Sequence, residues 1–327
     1  MVALMRDIDN RKPNSTVLLR EVERAEIISL VDNSVDYLST IDKDEVKQVR
    51  EWAKGHRQLP MAEHGFSMLV RVFDHGKLHS MLFDTGNSPK GIVNNAKRMG
   101  LNLREIECIV LSHGHYDHFG GMLSTLKLVN KDNLPIIVHE DMFSIRGVAN
   151  PDGTIRKYPK FPTENSIKPA KYVKTKHPYI IAENAILVTG EIPRKTCFEK
   201  GYPQHRVFID GEWQPDPWIL DDRAIVINVK QKGLVILSGC AHAGIINTIL
   251  YARQVTRVND VYAVIGGFHL AGKEYEQRIN QTVKELKKIN PKLIVPSHCT
   301  GWRGICTVAK AMPYAFVCNS VGNLYKL

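Results

Sequence analysis

The feature of this sequence that most restricts its fold is a histidine-rich turn at the end of an apolar run. Residues 111–122 read LSHGHYDHFGGM and follow directly on the run IECIVL. Side chains alternate along a strand, so His113 and His115 can point the same way as the chain leaves the strand. Asp117 and His118 come at the start of the next predicted helix. The turn therefore predicts a group of metal ligands just beyond one edge of a sheet.

The spacing of these ligands suggests more than one cation. The pair His113 and His115 and the pair Asp117 and His118 could hold two divalent metal ions a short distance apart. Imidazole and carboxylate favour Zn²⁺, with iron or manganese as alternatives. A solvent-exposed polar turn is the competing interpretation, and four ligand-type residues within six positions argue against it.

The rest of the chain alternates strand-sized apolar runs with helical patterns, as in α/β proteins. Runs such as AIVINV and LVILSGCA predict buried strands, and FSMLVRVF followed by LHSMLF predicts a hairpin. The stretches AGIINTILYARQV and KEYEQRINQTVKELKKI predict helices. The two halves of the chain show the same style, which predicts two sheets packed together with helices outside them.

We expect one domain over residues 25–327, preceded by an N-terminal extension at residues 1–24. Two polar stretches interrupt the alternation and predict surface insertions, near 36–62 and 141–182. The first contains a helical pattern at 41–56. The second is rich in Pro, Lys, Asn and Tyr, shows little periodicity and could cover a site.

Charge and composition narrow the class of partner. The chain has 44 Lys and Arg against 34 Asp and Glu, a formal net charge of +10, which favours anionic small molecules or nucleic acid. No apolar run approaches the roughly 20 residues that span a bilayer, and the N-terminus lacks the apolar core of a signal peptide. Six dispersed cysteines without a CxxC pair argue against a disulfide framework. We therefore expect a cytoplasmic protein without a membrane partner, and the oligomeric state stays open.

The run HGHYDH matches the HxHxDH signature of the metallo-β-lactamase superfamily, and the chain resembles that superfamily from about residue 25 onwards. FDTG at 83–86, LSGCAH at 237–242 and VPSHC at 295–299 stand in the superfamily's order. The resemblance implies a four-layer αβ/βα sandwich and a metal-dependent hydrolase or transferase.

Six motifs spread along the chain resemble one particular subgroup of this superfamily. The motifs LVDN, SHGHYDHFGG, VTGEIPR, GCAHAGIINT, GGFHL and SHCTG are similar to a subgroup labelled 7,8-dihydropterin-6-methyl-4-(β-D-ribofuranosyl)aminobenzene 5'-phosphate synthase. This resemblance implies an enzyme that acts on a phosphate- or diphosphate-bearing small molecule. Its reaction would join a pterin diphosphate to an aminobenzene riboside phosphate in the synthesis of a methanopterin-type cofactor.

The superfamily resemblance also assigns the remaining ligands and shows where this chain departs from the pattern. His298 would bind a metal, and Asp84 would accept a hydrogen bond from a ligand imidazole and so orient it. Glu191 stands where most members have a histidine after a PGHT turn, and we expect His242 to replace that ligand. Cys240 stands at the usual bridging aspartate and could be either a thiolate ligand or a small buried residue. Cys299, next to His298, would point away and only pack.

Other residues are candidates for substrate contact. His269 in GGFHL lies at a predicted strand end and could bind substrate or donate a proton. Arg194, Lys195, Arg223 and Arg303 are candidates for binding substrate phosphate, and a surface charge is the competing interpretation for each of them. Of the four, we predict that Arg194 and Arg303 bind substrate.

Two alternatives remain at this point. One is a metal-dependent hydrolase, either a phosphodiesterase or a nuclease that processes RNA or DNA, although no dedicated nucleic-acid-binding module is evident. The other is a redox role with iron in the same ligands, which would require an electron-delivery partner.

Overall fold

The computed structural model describes residues 6–7, 16–53 and 58–327. Residues 1–5 and 8–15, most of the predicted N-terminal extension, lie outside the described residues. So do residues 54–57 of the first predicted insertion.

The strands of the described residues are, in chain order, β1 (Arg6–Asp7), β2 (Glu21–Val22), β3 (Arg24–Val31), β4 (Val46–Lys47), β5 (Ser67–Asp74), β6 (Lys77–Phe83), β7 (Cys108–Val110), β8 (Pro135–Val138), β9 (Ile145–Ala149), β10 (Ile155–Lys157), β11 (Lys171–Lys174), β12 (Tyr179–Ile181), β13 (Ile186–Val188), β14 (His205–Ile209), β15 (Glu212–Pro215), β16 (Ala224–Val229), β17 (Gly233–Ser238), β18 (Val261–Gly267), β19 (Leu293–Ser297) and β20 (Leu324–Lys326).

The α-helices of the same residues are α1 (Val49–Trp52), α2 (Gly91–Arg98), α3 (Tyr116–Phe119), α4 (Met122–Val129), α5 (Ile245–Thr256), α6 (Lys273–Glu276), α7 (Ile279–Ile289) and α8 (Gly301–Ala311). Short 3₁₀ turns lie at Leu103–Glu105, Glu140–Phe143 and His298–Thr300. No helix within the described ranges combines the length and the apolar character needed to cross a membrane.

The strands form two large sheets and a small one. Sheet 1 has the order β1-β12-β13-β16-β17-β18-β19, with β2 added beside β16. Sheet 2 has the order β11-β8-β7-β6-β5-β3-β20-β4, and the small sheet has the order β10-β9-β14-β15.

The two large sheets face each other across one apolar core. Ile225 and Ile227 of β16 belong to the same buried cluster as Val70 of β5 in sheet 2. Side chains alternate along a strand, so Ala224 and Val226 of β16 face the other way, into a second cluster with residues of α5, α7 and α8.

A third cluster joins the outer face of sheet 2 to α2 and α4. Each fully buried aliphatic side chain in these layers contributes about 1.5–3 kcal/mol. The order helix, sheet, sheet, helix confirms the predicted four-layer sandwich.

The predicted hairpin is present as β5 and β6, while two predicted helices differ from the structure. In the stretch 41–56, β4 pairs with β20 and the helix begins only at Val49, because Gln48 and Glu51 exchange hydrogen bonds in a capping box. The stretch KEYEQRINQTVKELKKI forms two helices, α6 and α7, instead of one.

The predicted insertion at 141–182 contains more regular structure than its sequence suggests. Its strands β9 and β10 belong to the small sheet, β11 pairs in parallel with β8, and β12 pairs with β13. The partners of β11 and β12 lie in sheets 2 and 1, so the segment links all three sheets. Periodicity within the segment did not reveal these strands, because each is only three to five residues long.

The sheets place the ends of several strands at one edge of the sandwich. β6, β7 and β8 run parallel in sheet 2, and β17, β18 and β19 run parallel in sheet 1. The residues that follow them include Asp84, His269 and His298, each with a positive φ, of 62°, 44° and 48° respectively. A non-glycine residue with a positive φ is strained by about 1–3 kcal/mol, and it keeps this backbone conformation only where the surrounding contacts fix it.

Candidate metal centre

Three histidines converge at this edge and form what we call the trihistidine cluster: His113, His115 and His242. The Nε2 of His113 lies 3.0 Å from Nδ1 of His115 and 3.2 Å from Nε2 of His242. Two nitrogens bound at about 2.0–2.1 Å to one tetrahedral Zn²⁺ lie roughly 3.3 Å apart. The observed spacing therefore fits three ligands of a single cation.

A second group lies beside it, the mixed cluster of Asp117, His118 and His298. Oδ2 of Asp117 lies 3.2 Å from Nε2 of His298 and 3.8 Å from Nε2 of His118. One donor atom from each residue lies within 4.8 Å of the others. A carboxylate with two imidazoles is a donor set that suits zinc, iron or manganese.

Cys240 lies between the two clusters. Its Sγ is 3.2 Å from Nε2 of His118, and it groups with His113 and His118 within 4.8 Å. Burial, together with the neighbouring Cys299, raises the pKa of the Cys240 thiol well above its ordinary value. The thiol is therefore protonated at neutral pH unless a cation stabilises the thiolate.

Cys299 also belongs to this neighbourhood, and the prediction that it points away is wrong. Its Sγ lies 3.4 Å from the carbonyl oxygen of Cys240 and within 4.8 Å of donor atoms of both Cys240 and His269. The 3₁₀ turn that begins at His298 carries the side chain inward, which strand alternation alone did not anticipate.

Asp84 holds the mixed cluster from behind. Its Oδ2 accepts a hydrogen bond from Nδ1 of His118 at 2.7 Å, which leaves Nε2 of that ring facing the cluster. Its Oδ1 accepts from the backbone N–H of Ser112 at 2.6 Å. Since both groups are fully buried, this carboxylate fixes the orientation and the tautomer of the imidazole.

The two clusters differ in electrostatics. Burial, with smaller effects from neighbouring imidazoles, lowers the pKa of His113, His115 and His242 well below the ordinary histidine value. Burial alone would also lower the pKa of His118, but the carboxylates of Asp84 and Asp117 outweigh it and raise that pKa. The trihistidine cluster therefore presents neutral imidazoles, the form that binds metals.

Aromatic rings enclose the trihistidine cluster on one side. The ring of His269 lies 4.2 Å from that of His242 and 4.5 Å from that of Tyr275, centroid to centroid. The ring of Tyr202 stacks on His242 at 6.3 Å, and the ring of Tyr158 meets His115 edge-on at 5.2 Å. Both ring nitrogens of His269 are buried and have no hydrogen-bond partner among the described residues.

Comparisons with known proteins identify the family. Residues 61–193 match the metallo-beta-lactamase superfamily. A protein of Methanocaldococcus jannaschii, named 7,8-dihydropterin-6-methyl-4-(beta-D-ribofuranosyl)-aminobenzene-5'-phosphate synthase, is 32% identical over 279 residues, which cover 81% of this chain and 90% of that protein. The chain belongs to the metallo-β-lactamase superfamily.

Further similarities agree with this metallo-β-lactamase assignment. An uncharacterized protein of the same organism is 30% identical over 263 residues, covering 78% of this chain and 91% of that protein. The crystal structure of a metal-dependent hydrolase of the β-lactamase superfamily has a TM-score of 0.70 at 24% identity, over 93% of this chain and 98% of that one. The superfamily and subgroup resemblances drawn from the motifs are thereby confirmed.

The metallo-β-lactamase pattern is altered at the third histidine, and the structure shows how. Glu191 accepts a hydrogen bond from Nε2 of His139 at 3.0 Å and does not belong to either cluster. His242 supplies the third imidazole instead. Asp222 accepts hydrogen bonds from the backbone N–H groups of His242 and Ala243 and so holds the turn that carries this histidine.

The two basic residues predicted to bind substrate, Arg194 and Arg303, already have protein partners. The guanidinium of Arg194 donates to the carbonyls of Ile192, Trp218 and Ile219. Arg303 is 76% exposed on α8 and pairs with Glu276 at 3.5 Å.

The side chains of the other two candidates, Arg223 and Lys195, also have protein partners. Arg223 is fully buried and donates to the carbonyls of Leu111 and Thr175, and Lys195 donates to Gln254. The structure therefore brings the predicted metal ligands together. The side chains of these four basic residues are engaged by protein groups, and their predicted role in substrate binding stays a prediction.

Sequence reasoning missed residues that support the metallo-β-lactamase centre from the small sheet and the loop before β16. Arg146 of β9 donates to both oxygens of Asp221 at 2.7 Å, and Asp221 also accepts from the N–H of Gly114 at 2.8 Å. His205, the first residue of β14, reaches His115 with its Nε2 at 3.2 Å. Two signals in the sequence were available. One was His205 at the start of the predicted strand HRVFID, and the other was the pair Asp221–Asp222 just before the predicted strand AIVINV.

Proposed function

We propose that this protein is a metal-dependent enzyme that joins a hydroxymethyl-dihydropterin diphosphate to an aminobenzene riboside phosphate. Two observations support the proposal: two adjacent donor clusters that meet at Cys240, and 32% identity to a synthase of that name over 90% of its length. The net charge of +10 favours an anionic substrate. The cations are proposed to be two Zn²⁺, with iron or manganese as alternatives.

The chain's own residues have distinct tasks in this reaction. When bound, two divalent cations would stabilise negative charge on phosphoryl oxygens and on the departing diphosphate. His113, His115 and His242 stay neutral and present ring nitrogens, and Asp84 holds His118 with its Nε2 towards the centre. Diphosphate leaves the hydroxymethyl carbon with the bonding electron pair, and a ring carbon or nitrogen of the arylamine attacks that carbon and then loses a proton.

His269 is placed to contact the substrate in its neutral form. Burial and the nearby Arg278 lower its pKa to about 3, so at neutral pH one ring nitrogen donates a hydrogen bond and the other accepts one. The rings of Tyr202 and Tyr275 pack against this imidazole, with centroids 5.9 Å and 4.5 Å from its own. We therefore assign His269 to substrate binding or proton acceptance, not to donation from an imidazolium.

The proposal predicts a joined product. Protein loaded with Zn²⁺ is incubated with both substrates, and the product mass and the diphosphate released are measured. Chelator-treated protein is the control and is expected to form no product. Absence of joined product contradicts the synthase proposal, and release of phosphate or diphosphate without joining would instead support hydrolysis. Salt-sensitive binding to RNA or DNA in a gel-shift assay would support the nuclease alternative.

We propose that the enzyme works in the cytoplasm. All six cysteines are free, which fits a reducing compartment. Fluorescence of a tagged protein in a native host would test this, and a signal confined to the cell envelope would contradict it.

A further inference from the structure

The small sheet contributes a histidine that touches the trihistidine cluster from outside. His205 is completely buried, and its Nε2 lies 3.2 Å from Nε2 of His115. His115 faces the cluster with its other nitrogen, Nδ1, 3.0 Å from Nε2 of His113. The two nitrogens of the His115 ring therefore face different partners.

These contacts fix the position of each proton. If Nδ1 of His115 offers its lone pair to a cation, the proton of the neutral ring must lie on Nε2. That N–H then donates to Nε2 of His205, which must accept. The proton of neutral His205 consequently lies on Nδ1, where it donates to the carbonyl oxygen of Asp216 at 2.9 Å, with the Asp216 carboxylate at 3.2 Å.

The small sheet also supports the His113–His115 turn at a second point, through Arg146 and Asp221. Arg146 of the small sheet lies 3.9 Å from the carboxylate of Asp216 and forms a two-pronged ion pair with Asp221. Asp221 accepts the N–H of Gly114, the residue between the two cluster histidines. Because Arg146, Asp221 and His205 are all at least 96% buried, water does not compete for these hydrogen bonds.

We propose that His205 is a positioning residue, which holds His115 in the tautomer that presents Nδ1 to a metal ion, with Asp216 orienting His205 in turn. The inference rests on the metal site of the proposed function. It gives the small sheet a specific task, which is to supply the hydrogen-bond acceptor behind one ligand of the trihistidine cluster. Removing a partner of this kind typically lowers metal affinity about 10–100-fold.

The test compares Zn²⁺ affinity, measured by competition with a chromogenic chelator, in the wild type, His205→Leu and His205→Gln. Leucine removes the hydrogen-bond acceptor and should weaken binding of the more tightly bound Zn²⁺ about 10–100-fold. Glutamine retains a carbonyl acceptor and should recover at least half of that loss on a logarithmic scale. The matched control is His79→Gln, which alters another histidine with little exposure, one that contacts Glu107 near the opposite end of β6.

Wild-type affinity in the leucine variant, or a glutamine variant no better than leucine, would overturn the inference. As a second measurement, ¹⁵N NMR of the zinc-loaded wild type should show His115 with its proton on Nε2, and a proton on Nδ1 would also overturn it. A wild type that binds Zn²⁺ but forms no joined product would contradict only the synthase proposal, since the affinity comparison needs no substrate.

Discussion

The two donor clusters lie side by side, yet their donor groups differ in charge and in the direction of their pKa shifts. The trihistidine cluster consists of neutral imidazoles whose pKa values are lowered chiefly by burial. The mixed cluster includes Asp117, and its His118 is hydrogen-bonded to the carboxylate of Asp84. Burial first raises the pKa of Asp117, but the imidazoles of His118 and His298 outweigh that effect and hold it well below its usual range.

The two adjacent clusters therefore offer a metal ion two different kinds of donor environment. The trihistidine cluster depends on orientation, since its rings carry no charge and are fixed by backbone turns and by the small sheet. The mixed cluster depends on negative charge, because the carboxylate of Asp117 can attract a cation directly. Substitutions should therefore affect the two clusters separately, except at a residue such as His113, whose ring nitrogen lies near donor atoms of both clusters.

The largest effect is expected at His113, which groups with His115 and His242 and also with His118 and Cys240. His113→Ala should lower the rate of product formation about 10³-fold or more, which corresponds to about 4 kcal/mol. Metal content per chain and product formation are the measurements, with His79→Ala as the control. If the variant retains two cations and activity within tenfold of wild type, the two clusters do not share this residue functionally.

The pH dependence of stability should expose how the trihistidine cluster is supported. Burial raises the pKa of Asp222 to about 6, although the N–H of Ala243 and the Arg194 guanidinium lower it. At a pH between about 4, the pKa of an aspartate in the unfolded chain, and about 6, the pKa of Asp222 in the folded protein, the folded protein keeps a proton on Asp222 that the unfolded chain has lost. The contribution of Asp222 to stability therefore falls as pH rises, by about 3 kcal/mol at neutral pH, and it opposes the contribution of the buried histidines, whose lowered pKa values favour the folded state as pH rises.

Asp222→Asn should remove this contribution and make the unfolding free energy rise more steeply, or fall less steeply, with pH than in the wild type, since asparagine keeps an acceptor for Ala243 and does not ionise. Urea unfolding of the metal-free protein between about pH 4 and pH 7 is the measurement. Equal slopes of unfolding free energy against pH in the variant and the wild type would show that the carboxyl of Asp222 is not the group responsible.

A smaller and more selective effect is expected at Asp84, which accepts the hydrogen bond of His118 in the mixed cluster. Asp84→Asn should weaken metal binding at that cluster about 10–100-fold and leave the trihistidine cluster within about threefold. Titration with Co²⁺, followed by absorption, would resolve the two binding steps. Glu107→Gln is the matched control, because it alters a remote carboxylate–histidine pair at His79. Equal weakening of both steps would contradict the separation of the clusters.

The smallest effect is expected at Arg303, whose side chain lies on the surface of α8 and pairs with Glu276. Arg303→Ala should change KM less than about twofold and stability by about 0.5 kcal/mol or less. Steady-state kinetics with the phosphorylated substrates provides the measurement, and Glu276→Ala serves as the control. A tenfold rise in KM for Arg303→Ala alone would support the original prediction that this arginine binds substrate.

Much of the architecture was accessible from the sequence because strand and helix periods are local. The apolar run AIVINV predicts a buried strand, and the structure confirms it in β16, where all six residues are buried. The turn HGHYDH predicts neighbouring ligands for the same reason, since positions two residues apart after a strand share a direction. Predictions weakened where the local pattern was short, as in β9 to β12, or where a cap decided the helix start, as at Gln48.

The composition of the centre was not accessible in the same way. Whether Glu191, Cys240 or His242 completes the pattern depends on contacts across more than 100 residues, such as that between His113 and His242. Sequence spacing carries no information about such distances. The inward direction of Cys299 and the contact of His205 with His115 likewise depend on how a turn and a separate sheet pack against the sandwich.

The sequence by itself determined that strand-end histidines and an aspartate would meet at one edge of an α/β sandwich, because alternation and strand direction are properties of the local chain. Only the tertiary structure decided which distant residues complete and support the two clusters. The physical reason is that burial, hydrogen-bond geometry and the pKa values that follow from them arise only when separate segments pack together.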